Sequence, residues 1–385
     1  MTSRPIVLGL HGDNYGYAKA VYGGGLPDHV KVRRLRSVSL GHLPGAPESL
    51  RWVRLFSPLP HTDLVHSYNH LVLNRRPWVA SFESWFPRFH TDRHNDRLWE
   101  WGFRRIESAL CRHLLPLSEA AANLFLDQAG RFGVDLDQLR SKLQVVYPAI
   151  PIPDASSGFD PKTEVNRRTR ILFISHTFFL KGGRALLRAV KELRRSYDIE
   201  LTVVGRVRLD RVTGATEDDI RAAIRELTET PGIIWEPSIQ HQTLMTHYYR
   251  SADIYCLPTF GDSFGFTNIE AMSQALPVVA TRYFAIPEQV IHGNTGFLVD
   301  LPVDKLGRLD YVLGLGVSDR ATRREFVREL ENSVTSQLVR YLARLVEDSE
   351  LRLEFGRAGR RRFQEIFSVE ARNTKLAALW STAAS

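Results

Sequence analysis

Residues 258–300 decide the fold of this chain, and they read PTFGDSFGFTNIEAMSQALPVVATRYFAIPEQVIHGNTGFLVD. The run Ala252–Thr259 (ADIYCLPT) leads into them and has the pattern of a buried strand, an apolar stretch bounded by turn residues. A glycine-containing loop and the start of a helix follow. This order of strand, loop and helix N-terminus offers backbone N–H groups and a positive dipole end to a phosphate. The stretch therefore predicts a phosphate-binding loop at the end of a strand.

Two acidic side chains belong to this loop and helix. Asp262 opens the turn, and Glu270 follows eight positions later within the predicted helix Thr267–Gln274. A ribose or sugar bound beside a phosphate needs acceptors for its hydroxyls, and carboxylates supply them. Two structural alternatives stay open. Thr267 and Glu270 also fit a capping box, in which Glu270 bonds back to the Thr267 N–H, and Asp262 fits an ordinary turn residue.

Strand and helix patterns alternate through the second half of the chain. The alternation predicts βαβ units and a parallel sheet covered on both faces, with ligands at the carboxyl ends of the strands. Predicted strands are Arg170–His176, Ile199–Gly205, Gly232–Glu236, Asp253–Leu257 and Pro277–Ala280. Predicted helices, besides Thr267–Gln274, are Arg184–Arg195, Glu217–Thr228, Thr243–Arg250 and Ile286–Val290.

The first half also fits an α/β sheet, and the tail is helical. Predicted strands are Ile6–Leu10, Val30–Leu35, Leu64–Ser67 and Trp78–Phe82, with helices near Asp96–Leu114 and at Glu119–Gln128. The tail helices are Ala321–Glu347, with a break near Asn332, then Ser349–Phe367 and Val369–Thr382. The proline-rich stretch Pro148–Arg170 has the composition of an interdomain linker. We therefore expect domains at 1–155 and 168–365, followed by a C-terminal helix at 366–385.

Size and composition limit the class of protein. A chain of 385 residues suffices for two domains, and 43% hydrophobic with 24% charged residues is typical of a soluble globular protein. No apolar run reaches the length of a membrane helix. The two cysteines, Cys111 and Cys256, lie in apolar contexts, which favours a reduced cytoplasmic protein without disulfides. The net charge of +8 fits a mildly basic surface, an anionic membrane face or an anionic substrate. No nucleic-acid-binding motif is present, so nucleic acid is not an expected partner.

The motifs of residues 258–300 resemble the donor half of the family 4 (group 1) retaining glycosyltransferases of the GT-B fold. The resemblance implies two Rossmann-like α/β domains facing a cleft, with a last helix, Ala371–Trp380 in part, crossing back to the N-terminal domain. It also implies transfer of a sugar from a nucleotide sugar to a glycan or lipid-linked acceptor, with retention of configuration and in surface polysaccharide or glycoconjugate assembly. Such enzymes generally need no metal, so we expect no cofactor. The family carries two glutamates where this chain has Asp262 and Glu270.

The resemblance assigns donor-binding roles to particular residues. Glu270 would bind the ribose hydroxyls, and Asp262, a candidate catalytic carboxylate, would bind hydroxyls of the donor sugar. Lys181, in the loop FFLKGGR (178–184), would neutralise the diphosphate. Backbone groups near the donor, and two further side chains at strand ends, complete the predicted site: Gly265, Phe266, Thr267, His176 and Arg206. His176 stands where the family usually has Arg, which would weaken phosphate binding or make it depend on pH.

Acceptor-side residues are predicted in the first domain. Gly12 follows the first strand, and the triplet Gly23–Gly25 includes Gly23 and Gly24, which permit close approach of a ligand to the backbone. Glu83 ends the stretch WVASFE (78–83), where the family has His. It is a candidate catalytic carboxylate that accepts a sugar hydroxyl or stabilises positive character at the anomeric carbon. A flexible glycine loop and a solvated Glu83 are the structural alternatives.

Aromatic and basic residues alternate through Ser84–Arg105. This composition suits peripheral contact with an anionic membrane on the cytoplasmic face, or a lipid-phosphate acceptor. It also suits an aromatic helix packed on its own sheet, which is the favoured interpretation. The aromatic residues concerned are Trp85, Phe86, Phe89, Trp99, Trp101 and Phe103.

Three other functions remain compatible with the sequence. A sugar-nucleotide epimerase of the same fold would change the sugar without an acceptor. A catalytically inactive homologue acting as a binding or regulatory subunit would fit the departures at Asp262, His176 and Glu83. A lectin-like binding protein would lack nucleotide affinity, which the Lys181 loop argues against.

Overall fold

The structure is a computed structural model that describes residues 5–11, 21–22, 25–27, 29–46, 48–56, 62–89, 96–151, 168–210, 212–309 and 319–385. The chain forms two compact units. The first comprises Met1–Pro151 together with Ile366–Ser385, and the second comprises Ile152–Glu365. Each unit is built around its own parallel sheet, as the alternating strand and helix patterns predict.

The first unit contains a five-stranded parallel sheet with the order β2-β1-β5-β7-β8. Every residue of β5 and β7 is buried, as expected for central strands covered on both faces. A small second sheet has the order β3-β4-β6. The eight strands are β1 (Ile6–His11), β2 (Val30–Arg34), β3 (Ser37–Ser39), β4 (Val53–Phe56), β5 (Leu64–Tyr68), β6 (Leu71–Val72), β7 (Trp78–Phe82) and β8 (Cys111–Pro116). The helices are α1 (Asp96–Glu107), α2 (Glu119–Ala129) and α3 (Leu136–Lys142).

This unit differs from the prediction at strand β8, in the small sheet and at helix α3, which was not predicted. The helix expected at Asp96–Leu114 ends at Glu107, and Cys111–Pro116 forms strand β8 instead. The reason is tertiary, because β8 completes the sheet by pairing with β7 along its length. The small sheet was not predicted, since its strands are two to four residues long and carry no clear period.

The aromatic residues of Ser84–Arg105 are mostly core residues. Phe86, Phe89, Trp99 and Phe103 are buried, and Trp99 stacks on Phe132 with ring centroids 5.7 Å apart. The packing alternative is therefore confirmed for these four side chains.

The second unit contains a six-stranded parallel sheet with the order β11-β10-β9-β12-β13-β14. Its strands are β9 (Thr169–Ile174), β10 (Ile199–Val204), β11 (Ile233–Glu236), β12 (Ile254–Leu257), β13 (Val278–Thr281) and β14 (Gly296–Val299). Five of them confirm predicted strands to within two residues. The sixth, β14, was missed because only its preceding turn carries a sequence signal. The helices are α4 (Gly183–Leu193), α5 (Glu217–Glu229), α6 (Phe266–Ser273), α7 (Arg320–Glu347) and α8 (Ser349–Arg362).

Two predicted helices of this unit take other forms. The helix expected at Thr243–Arg250 is part of a longer run, in which a π-helical turn (Leu244–Tyr248) lies between two short α-helical turns, His241–Thr243 and Tyr249–Ser251. The stretch expected at Ile286–Val290 is a 3₁₀ turn, Ile286–Glu288.

The long helix α7 is continuous, so the predicted break near Asn332 is wrong. Its 28 residues run without interruption. Glu331 is fully buried there and accepts hydrogen bonds from Arg184 Nε at 2.9 and 2.7 Å, which fixes α7 against α4. Asn332 accepts a bond from Arg188 at 3.2 Å. The polar residues that suggested a break are therefore contact residues between the two helices.

The last helix, α9 (Val369–Ala384), belongs to the first unit, as the resemblance implies. It contacts β1, β5 and β8. Trp380 is buried, and its Nε1–H donates to Nδ1 of His66 at 3.2 Å. His66 Nε2 in turn meets the hydroxyl of Ser81 at 2.8 Å. Residues more than 300 positions apart thus share one core.

Both cysteines are free and buried. Burial raises the pKa of the Cys111 thiol to about 12. Within the described ranges, no helix is both long enough and apolar enough to cross a membrane.

Candidate functional site

The loops after β9 and β12 lie where the strand order of the second sheet reverses. From β9 the chain proceeds to β10 and β11 on one side, then returns to β12 on the other side of β9. The carboxyl ends of the two strands flanking such a reversal form the usual ligand crevice of an open α/β sheet. The loops 175–182 and 258–265 both begin at this edge.

These two loops are in direct backbone contact. The N–H of Phe260 donates to the carbonyl of Leu180 at 2.8 Å. Gly182 has a φ of +74°, and a Cβ there would lie 2.0 Å from the carbonyl oxygen of Pro258. A Cβ on Gly183 would lie 2.4 Å from the ring of Phe178. The Gly-Gly pair of the FFLKGGR loop is therefore required by close packing as well as by backbone conformation.

Lys181 and Asp262 meet between the loops. The Lys181 ammonium donates to the Asp262 carboxylate at 2.5 Å and to the Gly261 carbonyl at 2.8 Å. The other carboxylate oxygen of Asp262 accepts the N–H groups of Phe264 and Gly265 at 3.1 and 2.9 Å. Asp262 is thus both a turn residue and a charged partner of Lys181. The structure brings together two residues that are 81 positions apart.

The N-terminus of α6 points its backbone donors toward this loop. Gly265 is the N-cap, with a φ of +93° and no side-chain cap, and Phe266 and Thr267 form the first half-turn. A Cβ on Gly265 would lie 2.9 Å from the Asn268 side chain, so this position also requires glycine. A helix N-terminus without a side-chain cap attracts anions, and Lys181 stands just before the similarly uncapped α4.

Glu270 is buried in α6 and held by two residues of the helical run 241–251. The hydroxyl of Tyr249 donates to one carboxylate oxygen at 2.7 Å, and Nε2 of His241 lies 2.9 Å from the other. Tyr249 is buried, whereas the His241 side chain is 66% exposed, so a ligand reaches Glu270 from the His241 side. Burial and the nearby Glu270 carboxylate raise the pKa of Tyr249 well above its usual range, so Tyr249 stays a donor at neutral pH.

The capping-box alternative for Glu270 is therefore wrong. The helix begins at Phe266, which places Thr267 inside its first turn rather than at the cap. The carboxylate of Glu270 is directed toward Tyr249 and His241 instead of the Thr267 N–H.

His176 and Arg206 lie at the carboxyl ends of the neighbouring strands β9 and β10, and both side chains are exposed. The two strand ends approach closely, since a Cβ on Gly205 would lie 1.6 Å from the carbonyl oxygen of Ser175. Among the described contacts, none joins either residue to Lys181 or Glu270. They stay predictions as donor-binding residues.

Glu83, in the first unit, is partnered rather than solvated. Arg88 Nη2 lies 2.5 Å from its carboxylate, and the Tyr68 hydroxyl donates to it at 3.2 Å. The Arg88 guanidinium also stands 4.9 Å above the ring of Trp52. Burial, followed by the charge of Glu83, raises the pKa of Tyr68 well above its usual range. The predicted residues Gly12, Gly23 and Gly24 lie outside the described residues.

Sequence reasoning missed the partners of both buried carboxylates. Tyr249 and His241 are 21 and 29 positions from Glu270, and no local motif links them. Arg88 follows Glu83 by five positions in an irregular segment, so helical or strand spacing does not pair them. Within the described part of the chain, no group of three His, Cys, Asp or Glu side chains is placed to hold a metal ion.

Comparison with known proteins agrees with this geometry. A family model described as "Glycosyl transferases group 1" matches residues 168–307, the part that contains the site. The D-inositol 3-phosphate glycosyltransferase of Pseudarthrobacter chlorophenolicus is 25% identical over 284 residues, which cover 68% of this chain and 64% of that protein. Its counterpart in Corynebacterium jeikeium is 32% identical over 182 residues, covering 43% and 41%. The chain matches between half and two-thirds of the length of the first three curated relatives.

Solved structures match over nearly the whole chain. HepE of Anabaena, in complex with UDP and glucose, has a TM-score of 0.60 at 15% identity, covering 98% of this chain and 99% of that one. Sucrose-phosphate synthase from Thermosynechococcus elongatus has a TM-score of 0.57 at 18% identity, covering 99% and 100%. Identities this low bear on the fold alone.

The two parallel sheets and the returning last helix therefore place the protein in the GT-B class of folds. Within that class, residues 168–307 match the model of the group 1 glycosyl transferases, in agreement with the resemblance.

Proposed function

We propose that this protein transfers a sugar from a nucleotide-sugar donor to the hydroxyl of a glycan or lipid-linked acceptor, with retention of anomeric configuration. The observation that carries the proposal is the meeting of Lys181, Asp262 and the α6 N-terminus at the strand-order reversal, with buried Glu270 in the same helix. This set supplies a cation, backbone donors and hydroxyl acceptors, which a nucleoside diphosphate sugar requires.

Glu270 takes the ribose hydroxyls in this proposal. Its carboxylate has about four lone-pair directions, of which Tyr249 and His241 use two. Lys181 and the two helix N-termini bind the diphosphate and stabilise the charge that develops as the nucleotide leaves. Lys181 already pairs with Asp262, so the pair holds the loop in shape before the donor arrives.

The transfer proceeds on one face of the sugar. The bond between the anomeric carbon and the diphosphate oxygen breaks, and the acceptor oxygen bonds to the same face. The acceptor proton passes to the leaving phosphate. A double displacement through Glu83 is less well supported, because Arg88 and Tyr68 already occupy both oxygens of that carboxylate.

The names of the similar proteins guide the choice of substrates to test. HepE is described with UDP-glucose, so uridine nucleotides are tested first. Similar curated proteins are named D-inositol 3-phosphate glycosyltransferases. D-inositol 3-phosphate is therefore tested as an acceptor alongside lipid-linked glycans. A role in surface polysaccharide or glycoconjugate assembly, on the cytoplasmic side, is part of the same proposal.

The first experiment measures thermal stability with UDP, GDP, ADP and dTDP, for the wild type and Glu270→Ala. A nucleotide at about 100 times its Kd should stabilise the wild type by about 2.7 kcal/mol, and Glu270→Ala should lose this gain. Glu226→Ala, which changes an exposed glutamate on α5, is the matched control. Stabilisation by no nucleotide would favour the inactive homologue or the lectin-like protein.

Turnover then separates the remaining functions. With an α-linked donor and a competent acceptor, NMR of the first product should show an α-linkage. A donor sugar that changes without any acceptor would identify the epimerase. We further propose that no metal is needed, so transfer should persist in EDTA.

A further inference from the structure

One corner of the first unit carries most of its exposed aliphatic side chains. Among the described residues, four of the eight exposed large hydrophobics fall within 32–55. They are Val32, Val38, Leu43 and Leu55, which are 42, 55, 47 and 48% exposed. The other four are dispersed along the chain, from Trp101 to Ile291. Single exposed hydrophobics are ordinary, whereas a local concentration needs a reason.

The small sheet places two of these side chains side by side. Val38 of β3 and Leu55 of β4 are directly opposite in an antiparallel pair, so they stand side by side on the same face. Strand β3 is the outer strand of this sheet, and β6, at the other edge, is buried. The apolar pair therefore lies at the outward corner.

The turn that carries Leu43 packs against the segment before β4. A Cβ on Gly41 would lie 2.5 Å from the backbone nitrogen of Arg51. The hydroxyl of Ser39 donates to the Arg51 carbonyl at 2.8 Å. Leu43 is thereby held beside the two strands. We call Val38, Leu43 and Leu55, with the basic residues Lys31, Arg33 and Arg36, the β3–β4 patch.

The segment that carries this patch is mostly basic. Residues 29–56 contain six Lys and Arg residues and a single acidic residue, Glu48, so they hold more than half of the chain's net charge of +8. Lys31, Arg33 and Arg36 are exposed. An alternative reason for the Lys and Arg residues of β2 is that β2 is an edge strand, where charged side chains disfavour pairing with other chains. That role explains neither Arg36, which lies outside β2, nor the exposed pair Val38 and Leu55.

We propose that the β3–β4 patch docks the protein on the surface of a bilayer that contains anionic lipid. Aliphatic side chains rimmed by Lys and Arg match the boundary between acyl chains and anionic headgroups. Three aliphatic side chains are too few for the core of a standard protein interface, whereas shallow insertion into a bilayer needs no larger surface. The proposal is independent of the donor site, and it moves the expected membrane contact away from Ser84–Arg105, whose aromatic residues are mostly buried.

The test is flotation of the full chain with vesicles of phosphatidylcholine alone and with phosphatidylglycerol added. Binding should require the anionic lipid and fall steeply with added salt, because exposed charges are screened. Arg33→Gln with Arg36→Gln should weaken binding about thirtyfold, at about 1 kcal/mol for each charge. Val38→Ser with Leu55→Ser should weaken it about tenfold through the lost apolar insertion, with the salt dependence retained.

Two control variants carry the same number of substitutions, at residues of similar exposure, on the second unit. Leu209→Ser with Ile234→Ser removes two side chains that are 42 and 40% exposed. Arg195→Gln with Arg225→Gln removes two exposed charges. Both should bind vesicles like the wild type. The proposal is overturned if the wild type does not float, if the control variants lose binding equally, or if Trp101→Ala abolishes binding while the patch variants keep it.

Discussion

Glu270 is the residue whose surroundings most directly determine donor binding. Its carboxylate is held from the buried side by Tyr249 and from the exposed side by His241. Tyr249→Phe removes the buried donor and keeps the ring. A buried acceptor that loses its partner costs about 1–3 kcal/mol, so we expect nucleotide binding to weaken about tenfold or more. Isothermal titration of the nucleotide that binds the wild type measures this change.

Tyr248→Phe is the matched control, because Tyr248 is the adjacent tyrosine and its hydroxyl interacts with Glu236 instead. Its nucleotide affinity should equal that of the wild type. Equal affinity of Tyr249→Phe and the wild type would show that the buried hydrogen bond does not orient Glu270 for the ribose.

Lys181 should contribute to binding of the diphosphate but not to binding of the nucleoside. Lys181→Met should weaken binding of the nucleoside diphosphate by about ten- to a hundredfold, since hydrogen bonds to charged groups contribute about 1.5–3 kcal/mol. Affinity for the nucleoside alone should change little. Competition binding with both ligands measures the difference.

The partner of Lys181 allows a sharper test. Lys181→Met leaves the Asp262 carboxylate without its cation, and that charge then repels the diphosphate. Adding Asp262→Asn should therefore recover part of the lost affinity. Lys191→Met, which changes a lysine on the following helix α4 that pairs with Glu226, is the control. An equal loss for nucleoside and diphosphate would contradict the assigned role of Lys181.

Among the secondary-structure elements, the last helix α9 depends on a buried neutral histidine. His66 accepts the Trp380 N–H, and burial lowers its pKa from 6.5 to about 3. The unfolded chain therefore binds a proton between about pH 3 and 6.5 that the folded chain excludes. The free energy of unfolding therefore rises with pH through that window. At pH 5 it is about 2 kcal/mol lower than at neutral pH.

His66→Gln removes this titration. Urea unfolding at pH 5 and 7, followed by tryptophan fluorescence, should show a smaller pH difference in His66→Gln than in the wild type. His176→Gln, which changes an exposed histidine, should keep the wild-type difference. If His66→Gln keeps it too, the neutral state of His66 does not control the stability of this core.

Elements with a strong apolar period were predicted well, and elements defined by their partners were not. Strands β9 to β13 were found because each is a short, mainly apolar or alternating run between turn residues. Strand β8 was mistaken for the end of a helix, since Cys111–Pro116 becomes a strand by pairing with β7. The break expected in α7 failed for a related reason, because Arg184 and Arg188 of α4 satisfy the polar residues there.

In the whole molecule, the first unit is closed by residues from the far end of the chain. Leu376 and Trp380 of α9 are fully buried in it. A chain that ends at Glu365 should therefore expose the N-terminal sheet and lose protection there. The second unit keeps all its strands in such a chain and should retain nucleotide binding. Hydrogen exchange and a nucleotide-dependent thermal shift measure the two units separately.

Protected amides in β5 and β7 of the shortened chain would contradict this expectation. They would mean that the N-terminal sheet is stable without α9. If the shortened chain loses both nucleotide binding and the hydrogen-exchange protection of the N-terminal sheet, the second unit depends on the first for its fold.

The sequence by itself determined the two parallel α/β sheets, the resemblance of residues 168–307 to the group 1 glycosyl transferases and the loop that carries Asp262. These depend on short-range apolar patterns and glycine positions. It also identified Lys181 and Glu270 as candidates, though not what each one touches. Only the tertiary structure paired Lys181 with Asp262, Glu270 with Tyr249 and His241, and Glu83 with Arg88. The physical reason is that most of these contacts depend on the order of strands in a sheet, which places distant segments at one edge. No local pattern in the chain encodes that order.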